Sequence, residues 1–347
     1  MKEQHSMEHE AVTMTDAKGG RVITASEIGG VYGIIPTPAL PGADRIDARN
    51  TVDVEETARL VDQLVRDGVS GIIALGTTGE CPSLSEDDFD VVVDTVVEAA
   101  GGRVPTFVGA TGSGGHGTAR RLRKVAESGA SGALLGLPMW QPLTTAMAVD
   151  YYAQISEAFP DLAVMVYANA RAFRYAFPVE FWEGIADQAP TVTSAKVSKA
   201  PDLERMLEVT EGMVNFLPSD MVVHDFAQRA PATTTGCWAT AAAMGPEPSI
   251  VLMEALQTGD AAAVEKAVAD IAWANEPAAH LFADQELFAS YNLQIEKTRI
   301  AAAGYCRPGP IRPPYNHLPA PYADASRECG ERWRALRARL TDAVTAS

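Results

Sequence analysis

The sequence predicts an α/β protein, a (β/α)8 TIM barrel followed by additional C-terminal helices. From residue 31 onward, short apolar segments rich in β-branched residues alternate with amphipathic helical segments. The strand-like segments are almost entirely apolar, which is typical of parallel strands buried on both faces. Eight strand–helix units fall within about 220 residues, the number and length of a (β/α)8 barrel. A doubly wound open sheet shares this local pattern and is the alternative.

In the first half of the chain, each predicted strand is followed by a helix with recognisable ends. The first helix places Val54, Val61 and Leu64 on one face, and Gly68 ends it. The second begins at the N-cap Ser85, with Asp88 in the capping-box position. The four pairs are VYGIIPTPAL with VEETARLVDQLVRDG, GIIALGTTGE with SEDDFDVVVDTVVEAAGG, VPTFVGATG with GTARRLRKVAESGA, and GALLGLPMW with TAMAVDYYAQISEAF.

The second half repeats the pattern and then departs from it. Helical stretches follow the eighth strand over about 246–303 and 323–345, separated by the proline-rich segment CRPGPIRPPYNHLPAPY. We predict a disordered extension over 1–27, a barrel over 28–245, and a helical region over 246–347 packed on the barrel. The second-half units are AVMVYANA with PVEFWEGIADQA, TVTSAKVS with DLERMLEVTEG, VNFLPS with MVVHDFAQRA, and the eighth strand TTTGCWAT.

Composition restricts the class of partner. The net charge of −17 argues against a nucleic-acid surface, which needs clustered Lys and Arg. No apolar stretch reaches the roughly 18 residues of a membrane span, and the N-terminus lacks the apolar core of a signal peptide. The four cysteines are far apart in sequence, as expected for reduced thiols. We therefore expect a cytoplasmic protein that binds neither nucleic acid nor membrane.

Polar residues at the carboxyl ends of the strands are the first site candidates, because barrel active sites lie there. Tyr167 ends the fifth strand and Lys196 lies in the sixth, one repeat unit later, so they should be neighbours. A lysine in an apolar barrel loses hydration and its pKa falls. The neutral amine can form an imine, whose cation is an electron sink for an adjacent C–C bond. Other strand-end candidates are Thr77, Thr78, Gly79, Glu80, Asn169, Trp238 and Thr240.

A tyrosine beside such a lysine can move protons, and the GTTG turn can hold a carboxylate through its hydroxyls and amides. Together these groups suit an α-keto acid such as pyruvate. Other interpretations stay open: the candidate lysine as a surface residue, Tyr167 as a packed aromatic, Glu80 as an exposed loop carboxylate, and Trp238 as core. The competing lysines are Lys199, expected beyond the strand, and Lys297, expected on a C-terminal helix.

Two other chemistries are less well supported. GATGSGGHG places Gly112, Gly114 and Gly117 in G-x-G-x-x-G spacing, as in dinucleotide-binding loops, but the next strand ends GLPMW without the expected acidic residue. A flexible barrel loop is the alternative. The six histidines include no H-x-H pair, and only His5 and His9 show H-x-x-x-H spacing. We predict no metal, although ligands gathered from distant strands stay an open alternative.

The GTTGE turn, the tyrosine ending strand five and the lysine in strand six resemble the dihydrodipicolinate synthase / N-acetylneuraminate lyase family over residues 30–340. The resemblance implies a barrel enzyme that forms a Schiff base with pyruvate or a related keto acid. The synthases themselves have a tyrosine pair after strand four, where this chain reads PMWQP. They also have an arginine in a YNxPxR context, where this chain reads YANARAF.

The chain is more similar to one branch of the family, the trans-o-hydroxybenzylidenepyruvate and trans-2'-carboxybenzalpyruvate hydratase-aldolases. This implies hydration and retro-aldol cleavage of an arylidene pyruvate to an aromatic aldehyde and pyruvate during aromatic hydrocarbon degradation, without a metal or organic cofactor, in a homotetramer. Another pyruvate-dependent aldolase or synthase, such as dihydrodipicolinate synthase, and an inactive binding barrel are the alternatives. The similar segments are GLPMW (136–140), YANARAF (167–173), CWAT…MGP (237–246), YNLQIEKTR (291–299) and RPPYN (312–316).

The resemblance also implies roles for individual residues. Lys196 would form the imine and Tyr167 would transfer protons. The turn made by Gly76, Thr77 and Thr78 would hold the pyruvate carboxylate. An aromatic residue is expected at position 78, so the threonine there makes the aryl pocket different.

The remaining predicted residues concern the aryl end of the substrate. Trp238 and Trp140 would form walls of the aryl pocket, and Asn292 would hydrogen-bond water or an ortho substituent. Arg171 follows Tyr167 by four residues, near the barrel rim. If it points inward, it can pair with an ortho-carboxylate of the substrate; if it points outward, it is a surface charge.

Overall fold

Eight parallel strands form a single sheet that closes on itself, in a computed structural model that describes residues 22–345. The last strand pairs with the first, with Gly30 in register with Gly236. A bridge from Ser219 to Trp238 joins the seventh and eighth strands. The predicted barrel is therefore confirmed over the open sheet. The strands are β1 (Gly30–Ile34), β2 (Gly71–Ala74), β3 (Thr106–Gly109), β4 (Gly132–Leu135), β5 (Ala163–Ala168), β6 (Val192–Val197), β7 (Asn215–Leu217) and β8 (Gly236–Ala239).

Helices connect the strands and continue after the barrel as predicted. Short 3-10 helices occur at Ala25–Glu27, Cys81–Ser83, Ala241–Met244 and Glu276–Ala278. None of the helices in the described part of the chain is both long and apolar enough to cross a membrane. The α-helices are α1 (Val54–Arg66), α2 (Glu86–Ala100), α3 (Gly115–Glu127), α4 (Thr145–Ala158), α5 (Ala170–Phe173), α6 (Val179–Gln188), α7 (Leu203–Thr210), α8 (Val223–Arg229), α9 (Glu247–Thr258), α10 (Ala261–Asn275), α11 (Ala279–Ala283), α12 (Gln285–Ala303) and α13 (Ala320–Thr345).

For helix α1, the sequence periodicity predicted the end of the helix correctly but misplaced one residue of its buried face. It ends at Arg66, just before Gly68, which adopts the left-handed conformation that favours glycine. Its buried stripe runs through Leu60 and Leu64, and Val54 is exposed. The placement of Val54 on the buried face was wrong, because the helix turns its first residue toward solvent.

The start of α2 is capped as predicted, with one difference. The Ser85 side chain accepts a hydrogen bond from the Asp88 backbone N–H. The Asp88 carboxylate does not close the capping box; it accepts from the backbone and hydroxyl of Thr51, at 3.0 and 2.7 Å. The Asp88 side chain therefore ties the loop after β1 to α2.

The core has two layers, one inside the barrel and one between strands and helices. Inside, Tyr32, Phe107, Met165 and Leu217 pack together, with the partly buried Tyr167 above them. Alternate residues of a strand point to opposite faces, so Met165 and Tyr167 share the inward face of β5. All residues of β6 are buried, which satisfies the prediction of strands covered on both sides.

Segments at both ends of the described chain contact the barrel. The Asn215 side chain donates to the Ala25 carbonyl oxygen, so the 3-10 helix at Ala25–Glu27, which we assigned to the extension, contacts the barrel. The predicted disorder of residues 1–21 lies outside the described residues. At the other end, the buried Trp333 of α13 donates from its indole to the Gly245 carbonyl oxygen at 3.0 Å. The C-terminal helices are thus packed on the barrel.

Candidate active site

Lys196 lies inside the barrel rather than on its surface. Its side chain is only 7% exposed, and it pairs in register with Tyr167 across β5 and β6. The amine is 3.4 Å from the centroid of the Trp238 ring and 4.7 Å from that of Tyr167. The Trp238 indole donates to the Val197 carbonyl oxygen, which fixes the ring beside the amine. Among residues 22–345, no oxygen accepts a hydrogen bond from this amine.

Burial has a direct electrostatic consequence for this amine. Removal of water disfavours the ammonium and lowers the pKa of Lys196 to about 7, while the Glu296 carboxylate partly opposes the shift. Near neutral pH a large fraction of the amine is therefore unprotonated and nucleophilic. Lys199, the competitor three residues later, is exposed beyond the strand as expected.

The Tyr167 hydroxyl is held from two sides. It forms a hydrogen bond of 2.8 Å with the Thr77 hydroxyl and accepts one of 3.3 Å from the Asn169 amide. The Phe173 ring packs edge-on against the tyrosine ring, with 5.4 Å between centroids. Phe173 in turn fills the space above Gly136, where a Cβ would lie 1.9 Å from the ring. The segments GLPMW and YANARAF therefore support one another behind the tyrosine.

The turn after β2 is held in place by a buried charge network. Leu75 and Glu80, one residue on either side of the GTTG turn, both adopt the left-handed conformation, which is strained for non-glycine residues. The Thr37 hydroxyl donates to the Gly79 carbonyl oxygen at 2.7 Å. The turn keeps the hydroxyl of Thr77 within hydrogen-bond distance of the tyrosine hydroxyl, and Gly76, Thr77 and Thr78 line the cavity.

Glu80 is not the exposed loop carboxylate considered above. It is 1% exposed, and one carboxylate oxygen accepts from the Lys297 amine at 2.9 Å and from the Arg312 guanidinium at 2.7 Å. The other oxygen accepts from the Arg312 backbone N–H at 2.8 Å. Both cations come from the C-terminal region, so the segments YNLQIEKTR and RPPYN fasten the turn from outside the barrel. Lys297 is thus on a C-terminal helix, as expected, and is fully paired.

These groups surround a cavity of about 220 Å³ at the carboxyl ends of the strands, closed on one side by α11 and α12. Trp140 lies outside it, 87% exposed on the loop after β4, so the geometry does not bring this residue to the aryl pocket. Thr78 lines the cavity where a bulkier aromatic was expected. The predicted residues that line the cavity are Gly76, Thr77, Thr78, Tyr167, Asn169, Arg171, Lys196, Trp238, Thr240 and Asn292.

Arg171 lies at the mouth of this cavity and is exposed. Its guanidinium donates to the backbone and side-chain oxygens of Gln285 at 3.3 Å and lies 5.3 Å above the Phe288 ring. These contacts hold the arginine against α12. Arg171 therefore borders both the solvent and the cavity, so it combines the inward and outward orientations that the sequence left open.

Sequence reasoning missed two carboxyl groups in the cavity wall, Asp220 after β7 and Glu296 on α12. Burial raises the pKa of Asp220 to about 6, against a hydrogen bond from Ser249. Burial also raises the pKa of Glu296, against the nearby Arg299 guanidinium. A signal existed for Glu296: it follows Phe288 and Asn292 at intervals of four, one face of a helix. No three His, Cys, Asp or Glu side chains within the described range are placed to share a metal ion.

Comparison with known proteins agrees with this geometry. The profile of the dihydrodipicolinate synthetase family matches residues 43–322. The chain is 36% identical over 324 residues to the trans-o-hydroxybenzylidenepyruvate hydratase-aldolase of Pseudomonas aeruginosa, covering 92% of this chain and 96% of that one. It is also 36% identical over 327 residues to the trans-2'-carboxybenzalpyruvate hydratase-aldolase of Nocardioides sp. (strain KP7), covering 91% and 96%. A solved structure of PhdJ bound to a substrate intermediate superposes with a TM-score of 0.88 at 36% identity, covering 92% and 99%.

Proposed function

The chain belongs to the dihydrodipicolinate synthetase family, and we propose that it is a Schiff-base hydratase-aldolase acting on a trans-arylidenepyruvate. One observation carries the proposal: the amine of Lys196, with its pKa lowered to about 7, lies in register beside Tyr167 in a cavity of about 220 Å³. A neutral amine beside a proton-transfer group is what imine formation with a keto acid requires. The products are an aromatic aldehyde and pyruvate, formed in aromatic hydrocarbon degradation.

The reaction begins with attack of the Lys196 amine on the keto carbon. Tyr167 moves the proton from nitrogen to the new oxygen, which gives a neutral carbinolamine. An acid then protonates the hydroxyl, the C–O bond breaks, water leaves, and the nitrogen lone pair forms the C=N bond of a protonated imine. Thr77, Thr78 and the amides of the turn hold the substrate carboxylate, which fixes the keto carbon near the amine. The Tyr167–Thr77 hydrogen bond of 2.8 Å links the proton-transfer group to this anion site.

The iminium then activates the conjugated double bond. Water adds its hydroxyl to the benzylic carbon and its second proton to the neighbouring carbon. In the retro-aldol step a base removes the hydroxyl proton, the C–C bond breaks, and its electrons move into the iminium to give the enamine. Protonation of the enamine and hydrolysis of the imine release pyruvate. Tyr167 is placed to exchange these protons, and Asn292 to orient the water.

The aryl end of the substrate lies toward α11 and α12. Phe282, Phe288 and Trp238 line that side of the cavity, together with Asn292 and Arg171. The similar enzymes are named for substrates with an ortho-hydroxyl and an ortho-carboxyl group. We propose an o-hydroxybenzylidenepyruvate or 2'-carboxybenzalpyruvate type of substrate, with Asn292 or Arg171 facing the ortho substituent. Thr78 leaves more room than the aromatic expected there.

We also propose that the protein acts in the cytoplasm as a homotetramer, on small molecules rather than nucleic acid or membrane. Its reaction needs neither a metal ion nor an organic cofactor, because the iminium on Lys196 is the electron sink. The strongly exposed Trp140 and Met147 near the barrel rim are candidates for an interface between subunits. Sedimentation equilibrium tests the assembly: a monomer mass at micromolar concentration contradicts it.

The test of the function is reductive trapping followed by turnover. The protein is incubated with pyruvate and borohydride, digested, and analysed by peptide mass spectrometry. A reduced pyruvyl adduct on Lys196 is expected, and K199M, at the neighbouring exposed lysine, is the matched control that still forms it. An adduct on Lys199 or Lys297, or none, overturns the mechanism. Release of aldehyde and pyruvate from the two ortho-substituted arylidenepyruvates then identifies the ring that is processed.

A further inference from the structure

Lys196 has titratable groups on both sides, and the mechanism above uses only one of them. Tyr167 is on β5, to one side of the lysine strand. On the other side, Asp220 follows β7 and Glu296 projects from α12 into the same cavity. Glu296 and Lys196 are close enough that each stabilises the charged form of the other. The second side of the cavity therefore carries two carboxyl groups that the mechanism does not use.

The contacts of Glu296 leave one of its oxygens uncommitted. Its Oε1 accepts a long hydrogen bond of 3.4 Å from Arg299. Its Oε2 is buried and has no hydrogen-bond partner among the described residues. Arg299 makes its short hydrogen bond elsewhere, to the Asn275 side chain at 2.6 Å. A buried carboxyl with an unpartnered oxygen, in the same cavity as a reactive amine, is suited to exchange a proton, because leaving it ionised and unpaired is unfavourable.

The charges around Glu296 determine how many protons the site holds. The titratable or charged groups near it are Lys196 from β6, Asp220 after β7, Arg299 on its own helix and Cys329 on α13. Asp220 is itself near Cys237 of β8. Two carboxyl groups share one buried guanidinium, so with a neutral lysine one carboxyl retains its proton. When a cation forms on the lysine nitrogen, its charge stabilises the ionised carboxylate, so that carboxyl can then give up its proton.

We propose that Glu296 is the acid that expels water from the carbinolamine on Lys196, with Asp220 and Arg299 setting its charge. This rests on the imine mechanism of the proposed function and adds a catalytic residue to it. The Glu296 carboxyl proton passes to the carbinolamine hydroxyl, the C–O bond breaks, and water leaves. The nitrogen lone pair forms the C=N bond, leaving an iminium beside the Glu296 carboxylate. Hydrolysis of the imine runs the same transfer backward, and no net charge enters the site.

The experiment measures the rate of pyruvate trapping by borohydride as a function of pH in the wild type, E296Q and E286Q. Glu286 is the matched control, since it lies on the same helix, exposed and outside the cavity. Wild type should lose rate at low pH, where the amine is protonated, and at high pH, where the acid is ionised. E296Q should form the adduct on Lys196 about 10²-fold more slowly or worse and lose the high-pH decline. E286Q should match the wild type.

A purely structural or electrostatic role is separated by chemical rescue. In E296A, formate or acetate can occupy the vacated space and supply the proton, so trapping should accelerate with the concentration of the acid. E286A should show no acceleration. E296D, which keeps the carboxyl, should regain part of the rate that E296Q loses. A slow E296A that no small acid accelerates contradicts proton donation, as does an E296Q profile that keeps its high-pH decline.

A measurement on the wild-type protein tests the proposal without depending on whether the variants fold. Uniformly ¹³C-labelled wild type is followed by infrared difference spectroscopy as unlabelled pyruvate is added. The C=O stretch of a protonated protein carboxyl should disappear as the iminium forms, and persistence of that band overturns the proposal. If the wild type forms no adduct on Lys196, the proposed function itself fails. If the adduct forms and E296Q traps at the wild-type rate, only the role of Glu296 fails.

Discussion

The two buried lysines of this barrel, Lys196 and Lys297, have nearly the same exposure and opposite surroundings. Lys297 is 2% exposed and donates to the Glu80 carboxylate at 2.9 Å and to the Pro310 carbonyl oxygen at 2.8 Å. Lys196 is 7% exposed and faces the rings of Trp238 and Tyr167. One ammonium is paired with a carboxylate and donates two hydrogen bonds, and the other has neither a carboxylate in contact nor a hydrogen-bond acceptor in the described chain.

The difference shows that a buried lysine is structural or reactive according to its partner. Burial lowers the pKa of both amines, but for Lys297 the ion pair with Glu80 opposes the shift and supplies the missing solvation. The ion pair between Lys297 and Glu80 stabilises the turn that contains Thr77. Aromatic faces stabilise a cation only weakly, so they leave the other amine free to lose its proton.

Removal of each lysine should therefore have opposite consequences, and the larger is on catalysis. K196M should lower kcat/KM by at least about 10⁴-fold, because no other group can form the imine. Since it removes a buried, unpaired amine, it should not lower the free energy of unfolding. Steady-state aldehyde release and urea denaturation check the two expectations. If K196M retained activity, Lys196 would not be the reactive lysine, and the contrast with Lys297 would be wrong.

K297M should be a stability variant rather than a catalytic one. Removing Lys297 leaves the buried Glu80 carboxylate with Arg312 as its one cation and the Pro310 carbonyl oxygen without this donor, so the free energy of unfolding should fall by about 1–3 kcal/mol. Urea denaturation followed by circular dichroism measures this. K266M is the control, since the Lys266–Asp270 pair is on the surface and should contribute less than about 1 kcal/mol. Unchanged stability in K297M would show that the network around Glu80 does not hold the turn.

The pH dependence of the reaction should report the lysine that faces the rings. Lys196 attacks only when neutral, so kcat/KM should fall about tenfold per pH unit below its pKa of about 7. An ordinary lysine would place this inflection several units higher. The measurement is kcat/KM between pH 5 and 9 at constant ionic strength, and an inflection near the usual lysine pKa would contradict the effect of burial.

The smallest expected effect is at the cavity mouth. Arg171 is exposed and already donates to Gln285, so R171L should change kcat/KM for an ortho-hydroxyl substrate by less than about threefold. For an ortho-carboxylate substrate the loss should be larger, up to about tenfold, if the guanidinium meets the ring carboxylate. Competition between the two substrates in one reaction measures the ratio directly. Equal losses would place the arginine outside substrate recognition.

The sequence by itself determined the architecture and the chemical core of the site. Eight alternations of apolar strand and amphipathic helix leave few arrangements besides a barrel, because parallel strands need helical crossovers. The single-repeat separation of Tyr167 and Lys196 then places them side by side, since equal units put equal positions at the same rim. The direction of the lysine pKa followed from burial alone. These are consequences of local periodicity, which a sequence displays.

Only the tertiary structure decided which partners the polar groups have. Glu80 looked like a loop carboxylate, yet its cation Lys297 comes from 217 positions later in the chain. Trp140, expected in the aryl pocket, is exposed to solvent, and Glu296, overlooked in its helix, lines the same cavity as the reacting amine. Whether a charge is paired, free or exposed depends on which distant segments the fold brings within a few ångströms of it. That proximity has no period in the sequence. The pattern along the chain shows that Glu296 shares a helix face with Asn292, but not what that face meets in the fold.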